Sequence, residues 1–210
     1  IPVCRDLADA VAHAGGAADA FIFGMAPSSG MLSAPERAVV LDAIAAGMDI
    51  VNGLHEFLND DAEFAEASRA HDVQIFDVRR PRAKKDLRMF TGRIAKVTCP
   101  RIAVLDTDGA IGKRTTATVL TRALRERGLD AVMVSTGQTG LIQGARYGIA
   151  LDAIPCQFCS GEMENAVVEA WEGERDLAPA VRGFFSYHAA VVEPWDGPAG
   201  VVFTDGLGVG

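Results

Sequence analysis

Arg101-Ile-Ala-Val-Leu-Asp-Thr-Asp-Gly-Ala-Ile-Gly-Lys-Arg-Thr-Thr116 decides the fold class. The apolar run Ile102 to Leu105 reads as a buried strand. A small polar turn follows, and Gly112-Lys113 leads into Arg114 to Arg127 at helical spacing, with Gly128 as its stop. A strand, a loop and a helix in that order turn backbone N–H groups and a helix N-terminus toward an anion, and Lys113 adds a point charge. The candidate phosphate binders are Thr107, Gly109, Gly112, Lys113, Arg114, Thr115 and Thr116. The match to G-x-x-x-x-G-K-[ST] is partial, because Thr107 stands where the first glycine belongs and Arg114 where the hydroxyl belongs. An ordinary strand-to-helix turn is the alternative.

Outward from this loop, strands alternate with helices. Asp19 to Phe23, Asp49 to Val51 and Val73 to Phe76 read as short strands. Ser33-Ala-Pro-Glu36 reads as a capping box opening a helix to about Ala46, and Asn59 or Asp60 as the cap of a helix to about His71. A βαβ succession implies a parallel sheet with right-handed crossovers. From Arg79 to Lys96, eight basic residues face one acid, Asp86. That tract is either a solvated connector or a lining that draws anions toward a phosphate site. Beyond it, Ala131 to Ser135 is a strand, and Thr136-Gly-Gln-Thr-Gly140 follows at its C-terminal end, where ligands of open α/β sheets bind. Ser160 caps a helix from Gly161 to about Trp171 in this reading.

The chain has 210 residues, 49% of them apolar, and a formal charge of -8. Those values suit one large domain or two small ones and disfavour nucleic acid as a partner. No apolar run reaches the roughly 18 residues that span a bilayer, so no membrane role is expected. Four scattered cysteines suit a reducing cytoplasm better than a disulfide scaffold. The expected order is a Rossmann-like parallel-sheet domain over 1–80, a basic connector over 81–99, and a P-loop NTPase-like α/β domain over 100–210. Ile1-Pro-Val3 reads as a strand already inside a domain.

Several segments together resemble one family. Thr107-Asp-Gly-Ala-Ile-Gly-Lys-Arg-Thr-Thr-Ala117 is similar to the loop G-T-D-x-x-x-G-K-[RK]-x-T of the D-glutamate N-acetyltransferase family, long catalogued as a domain of unknown function, and to the loop of dethiobiotin synthetase. Phe23-Gly-Met-Ala-Pro27, Gly53-Leu-His-Glu-Phe-Leu-Asn-Asp-Asp61, Phe76-Asp-Val-Arg-Arg-Pro81, Ser135-Thr-Gly-Gln-Thr-Gly140 and Leu151-Asp-Ala-Ile-Pro155 extend the resemblance over roughly residues 1 to 170. The family's E-G-Q-G-S segment, expected after Trp171, is not found, and the resemblance implies that an N-terminal segment and much of the second domain are missing. It also implies an enzyme that moves acetyl from acetyl-CoA to the amine of a D-glutamate-like amino acid. ATP with Mg²⁺ in a carboxylate-activating enzyme is the rival, and a non-catalytic phosphate-ligand sensor is a third reading. A cytoplasmic homo-oligomer is expected.

In that frame Asp108 and His55 are candidates to take the proton of the substrate amine, and Gln138, Thr139 and Arg80 to hold its carboxylates. No resident metal is expected, although in the rival reading Asp108 would sit by Mg²⁺. Asp106 departs from the family's glycine, and its charge would repel a phosphate unless Arg114 or a cation intervened. Glu162 and Glu164 read as acids favoured by a helix N-terminus. Cys156-Gln-Phe-Cys159 has no second ligand pair, so packed thiols are expected rather than zinc.

Overall fold

The structure, a computed structural model, describes residues 2–25, 27–104 and 112–174, together with a strand at Gly183–Ser186. The chain divides into two compact units, Ile1–Arg80 and Pro81–Gly210. Both are α/β, with parallel sheets throughout.

The first unit runs α1 (Leu7–Ala14), β1 (Ala20–Phe23), α2 (Ala34–Ala45), β2 (Asp49–Asn52), α3 (Ala62–His71) and β3 (Ile75–Asp77), with the strands in the order β1-β2-β3. No strand forms over residues 2–4, where one was expected; the Asp6 side chain instead caps α1 by accepting from the Asp9 N–H. The capping box of α2 is present: Glu36 reaches back to accept from the N–H and the hydroxyl of Ser33 at 2.7 and 2.6 Å. Leu58–Asp60 winds into a 3-10 turn, which moves the cap of α3 from the expected Asn59 or Asp60 to Asp61. At the other end of α3, Asp72 adopts φ 55°, and Val73 donates its N–H to Ser68. Val73 thus closes the helix, and the strand starts two residues later than expected.

The helices α2 and α3 pack into one core against the same face of this sheet. Val40 and Ile44 from α2, Phe64 from α3, Ile50 from the sheet and Leu58 are wholly buried there, with Leu7 and Val11 of α1 packed alongside. Burying each such side chain contributes about 1.5–3 kcal/mol. The opposite face carries Ile22, Val51 and Phe76 in register across the three strands, with Ile22 and Phe76 about half exposed.

The second unit contains β4 (Arg101–Ala103), α4 (Lys113–Glu126), β5 (Ala131–Ser135), α5 (Gln138–Ile142), β6 (Tyr147–Gly148), α6 (Cys156–Gly173) and β7 (Gly183–Ser186), with strand order β4-β7-β5-β6. Gly128, at φ 77°, ends α4 as the sequence indicates, with the Leu129 N–H returning to the Leu124 carbonyl. Ala117 of α4 meets Ala131 on one side of β5, while Ala166, Val167, Val168 and Ala170 of α6 pack with Val134 on the other. The helix α6 starts five residues before the expected Gly161. Pro155, at φ -62°, serves as its N-cap, the Phe158 N–H bonds back to the Pro155 carbonyl, and Ser160 lies inside the helix.

Candidate functional site

The head of α4 carries the described part of the candidate phosphate loop, Gly112 to Thr116. Gly112 holds φ 109°, a left-handed backbone that favours glycine, and turns the chain into the helix. Lys113 is the first helical residue and is only 7% exposed, a setting in which an ammonium needs an anionic or hydrogen-bonding partner. Thr115 and Thr116 are exposed, and Arg114 donates to the Gln143 side chain at 2.5 Å, joining α4 to the end of α5. Asp106, Thr107, Asp108 and Gly109 lie outside the described residues.

The C-terminal end of β5 carries the second group of candidate residues. Ser135 donates to the Gly137 carbonyl, and Gly140 packs so tightly on the Ser135 side chain that a Cβ there would overlap it. The Thr136 hydroxyl is buried with no hydrogen-bond partner among the described residues, the feature of this edge that the sequence reading missed. Only burial reveals it, because a threonine after a strand carries no pattern of its own. Gln138 opens α5 partly buried, and Thr139 is exposed.

His55 and Arg80 belong to the first unit. His55 is exposed and sits against Gly30. Arg80 is engaged by Asp60 at 2.9 Å and Asp77 at 3.3 Å and lies over the Phe57 ring. The organising pair at this sheet edge is Asn52 and Asp77. Asn52, wholly buried, donates to Asp77 at 2.8 Å and to the Glu56 carbonyl at 2.7 Å and accepts from the Leu54 N–H. Burial pushes the Asp77 carboxyl up. Bonds from Asn52, from the side chain and N–H of Asn59, and from the Leu58 N–H outweigh that, holding its pKa below the ordinary carboxylate value. Glu56 accepts from the Leu32 N–H at 2.8 Å and pairs with Arg37, so the Gly53-Leu-His-Glu56 segment is tied into the fold around the exposed histidine.

The basic tract is docked on α6. Arg82 and Arg88 reach Glu169, and Arg93 reaches Glu172, at 3.3–3.7 Å. These pairs are largely exposed, so each contributes little. The stronger tie is to the backbone. Glu162 accepts from the Arg88 N–H at 2.7 Å; Glu164 accepts from the Thr91 N–H, the Thr91 hydroxyl and the Ile94 N–H at 2.8–3.0 Å. Because α6 starts at Cys156, neither glutamate is in its first turn, and the helix-dipole reading of both is corrected. They are buried acceptors for amides of an irregular segment. Bonds to Glu164 lower its pKa against the rise that burial causes.

Cys156 is exposed at the first position of α6. Cys159 is partly buried one turn on, and burial raises its pKa. Among the described residues no group of side chains has the makings of a metal site. No helix among them is long and apolar enough to cross a membrane.

Known proteins resemble this chain in both of its units. The DUF1611_N model, a Rossmann-like domain, matches residues 1–81, and the DUF1611 P-loop domain model matches residues 88–180. A third model, class-II glutamine amidotransferases, matches residues 159–210. The chain is 33% identical to a D-glutamate N-acetyltransferase of Pseudoalteromonas sp. over 161 residues, which is 76% of this chain and 47% of that protein. It thus spans about half the length of the curated relatives it matches. The crystal structure of a DUF1611 family protein from Anabaena variabilis superposes with a TM-score of 0.78 at 26% identity, covering 92% of this chain and 53% of the other. A separate match, 39% over 44 residues, is to the large chain of the NADPH glutamate synthase of Bacillus subtilis, covering 21% of this chain and 3% of that protein. The amidotransferase match begins inside α6, so residues 159–180 are common to two family models.

Proposed function

Because the chain belongs to the DUF1611 family, with its Rossmann-like and P-loop domains, we propose that it acts as an N-acetyltransferase on the amine of a D-glutamate-like amino acid, with acetyl-CoA as donor. The relative named for that activity supports the reaction. The observation that carries the donor is Lys113, buried at the first position of a 14-residue helix behind a left-handed glycine. That arrangement fits a phosphate group: N–H groups at the helix start and an ammonium meet an anion there.

Acetyl-CoA supplies an acetyl thioester, which needs no covalent link to the protein. The chain's own contribution is to bind, to orient and to take a proton. Lys113 and the start of α4 hold phosphate charge. Gln138 and Thr139 offer uncharged donors at the end of β5, suited to a substrate carboxylate. The attacking amine must lose a proton, and Asp108 and His55 are the groups whose chemistry allows them to accept it. Arg80 is the weaker candidate for a carboxylate, since Asp60 and Asp77 already balance its charge.

The test is direct. The chain is incubated with acetyl-CoA and D-glutamate, and N-acetylated product is followed by mass spectrometry. Lys113→Ala is expected to weaken acetyl-CoA binding by about 1.5–3 kcal/mol, the range for a hydrogen bond to a charged group, with the fold retained. Product formation absent in the parent, together with Mg²⁺-dependent ATP hydrolysis, would replace this reading with the carboxylate-activating one. Ligand binding without any turnover would leave a sensor.

A further inference from the structure

The flank of α4 carries a second concentration of positive charge. Thr118, Thr121, Arg122 and Arg125 recur at helical spacing along one face of α4, and they form one wall of a groove of about 510 Å³. The other wall is the turn from Gln143 to Arg146, and Val132 and Met133 of β5 line it between. The volume is that of a small-molecule site.

The chemistry of the lining is one-sided. Among the described lining residues, three guanidinium groups, Arg122, Arg125 and Arg146, face one carboxylate, Glu174, an excess of two charges on a chain whose formal charge is -8. Glu174 is buried and already taken, accepting from Arg146 at 3.3 Å and from the Tyr147 hydroxyl at 3.0 Å. Arg125 donates its Nε to the Ala131 carbonyl at 2.6 Å, which fixes its arm at the groove. Arg122 makes no hydrogen bond or ion pair among the described residues. The hydroxyls of Thr118 and Thr121 donate to helix carbonyls. The unspent capacity of the groove is therefore donor capacity, held by guanidinium groups whose planar fork matches phosphate oxygens.

We propose that this groove binds a phosphorylated organic anion of nucleotide size, its phosphate on Arg122 and Arg125 and its body over Val132 and Met133. Arg122 and Arg125 follow Lys113 by nine and twelve residues, hence about 13–18 Å farther along the helix axis. One phosphate group cannot touch both places, so the proposal stands whatever the head of α4 holds.

Calorimetry on the full chain tests it, with 5′-AMP, adenosine and inorganic phosphate as probes. Saturable AMP binding is expected, at least tenfold tighter than adenosine or inorganic phosphate. Arg122→Gln should weaken AMP at least tenfold. Arg122→Lys should recover part of the loss, and Arg122→Gln should weaken AMP by the same factor in a Lys113→Ala background. Arg122 makes no hydrogen bond or ion pair among the described residues, and the fold of its variants is checked by circular dichroism. No AMP binding by the parent, adenosine or phosphate binding as tightly as AMP, or equal AMP affinity in Arg122→Gln would each overturn the assignment. Loss of AMP binding in Lys113→Ala with Arg122→Gln unaffected would overturn it too, by placing the ligand at the head of α4.

Discussion

Glu164 and Thr91, 73 residues apart in sequence, meet through two hydrogen bonds to one carboxylate oxygen, while the Ile94 N–H takes the other at 3.0 Å. A single buried side chain thus satisfies two backbone amides of the segment that leads from the first unit into β4. Glu164→Ala leaves those amides and the Thr91 hydroxyl without acceptors. We expect a loss of about 3 kcal/mol in chemical unfolding of the second unit, since hydrogen bonds to a charged group contribute about 1.5–3 kcal/mol each and are not additive. Glu164→Gln should lose less, because one amide oxygen remains to accept. An Ala variant as stable as the parent would show that the amides find water instead.

Gly161 lies beneath the same segment. A Cβ there would overlap the Arg88 carbonyl and the backbone of Met89 and Phe90. Glycine-to-alanine within an exposed helix is ordinarily stabilising by about 1 kcal/mol. Here the sign reverses: overpacking against backbone costs about 1–3 kcal/mol. A thermal melt of Gly161→Ala gives the sign, and a raised melting temperature would mean that the segment lifts off α6 without cost.

Acid should unfold the first unit in a way that Asp77 controls. Its folded-state pKa lies below the ordinary value, so its contribution is fully present above about pH 4 and is lost as pH falls through the folded pKa. Asp77→Asn should be less stable than the parent at pH 7, and the gap between them should narrow below pH 4. Parallel stability curves for the two proteins would remove Asp77 from that role.

The two thiols of α6 should differ in reactivity. Cys156 is exposed, and burial raises the pKa of Cys159. Iodoacetamide at neutral pH should label Cys156 before Cys159, read by peptide mass spectrometry. Equal rates would mean that the first turn of α6 opens faster than alkylation proceeds.

Local chemistry was legible wherever one side chain sets one backbone turn. The capping box at Ser33 and Glu36, the stop at Gly128 and the strand Ala131–Ser135 stand as their residues indicate. The misplacements share a cause. Asp61 displaces Asn59 and Asp60 as a cap because a 3-10 turn intervenes, and Pro155 displaces Ser160 because α6 continues farther toward its N-terminus than its polar residues suggest. The roles of Glu162 and Glu164 were illegible for a different reason. Their partners, Arg88, Thr91 and Ile94, lie some seventy residues earlier, and no periodicity of α6 encodes an acceptor for a distant amide.

The same long-range pairing sets an order of assembly. Each contact that closes the first unit joins residues within its own 80, so its core can form while the rest of the chain is still emerging from a ribosome. The second unit has no such freedom. β7 stands between β4 and β5, pairing Arg101 with Phe184 and Ala131 with Gly183, and the amides of Thr91 and Ile94 wait for a glutamate at position 164. Closing loops of that length before any contact offsets the lost entropy makes the second unit the slow step. It is also the stage at which a nascent chain would most need protection from aggregation.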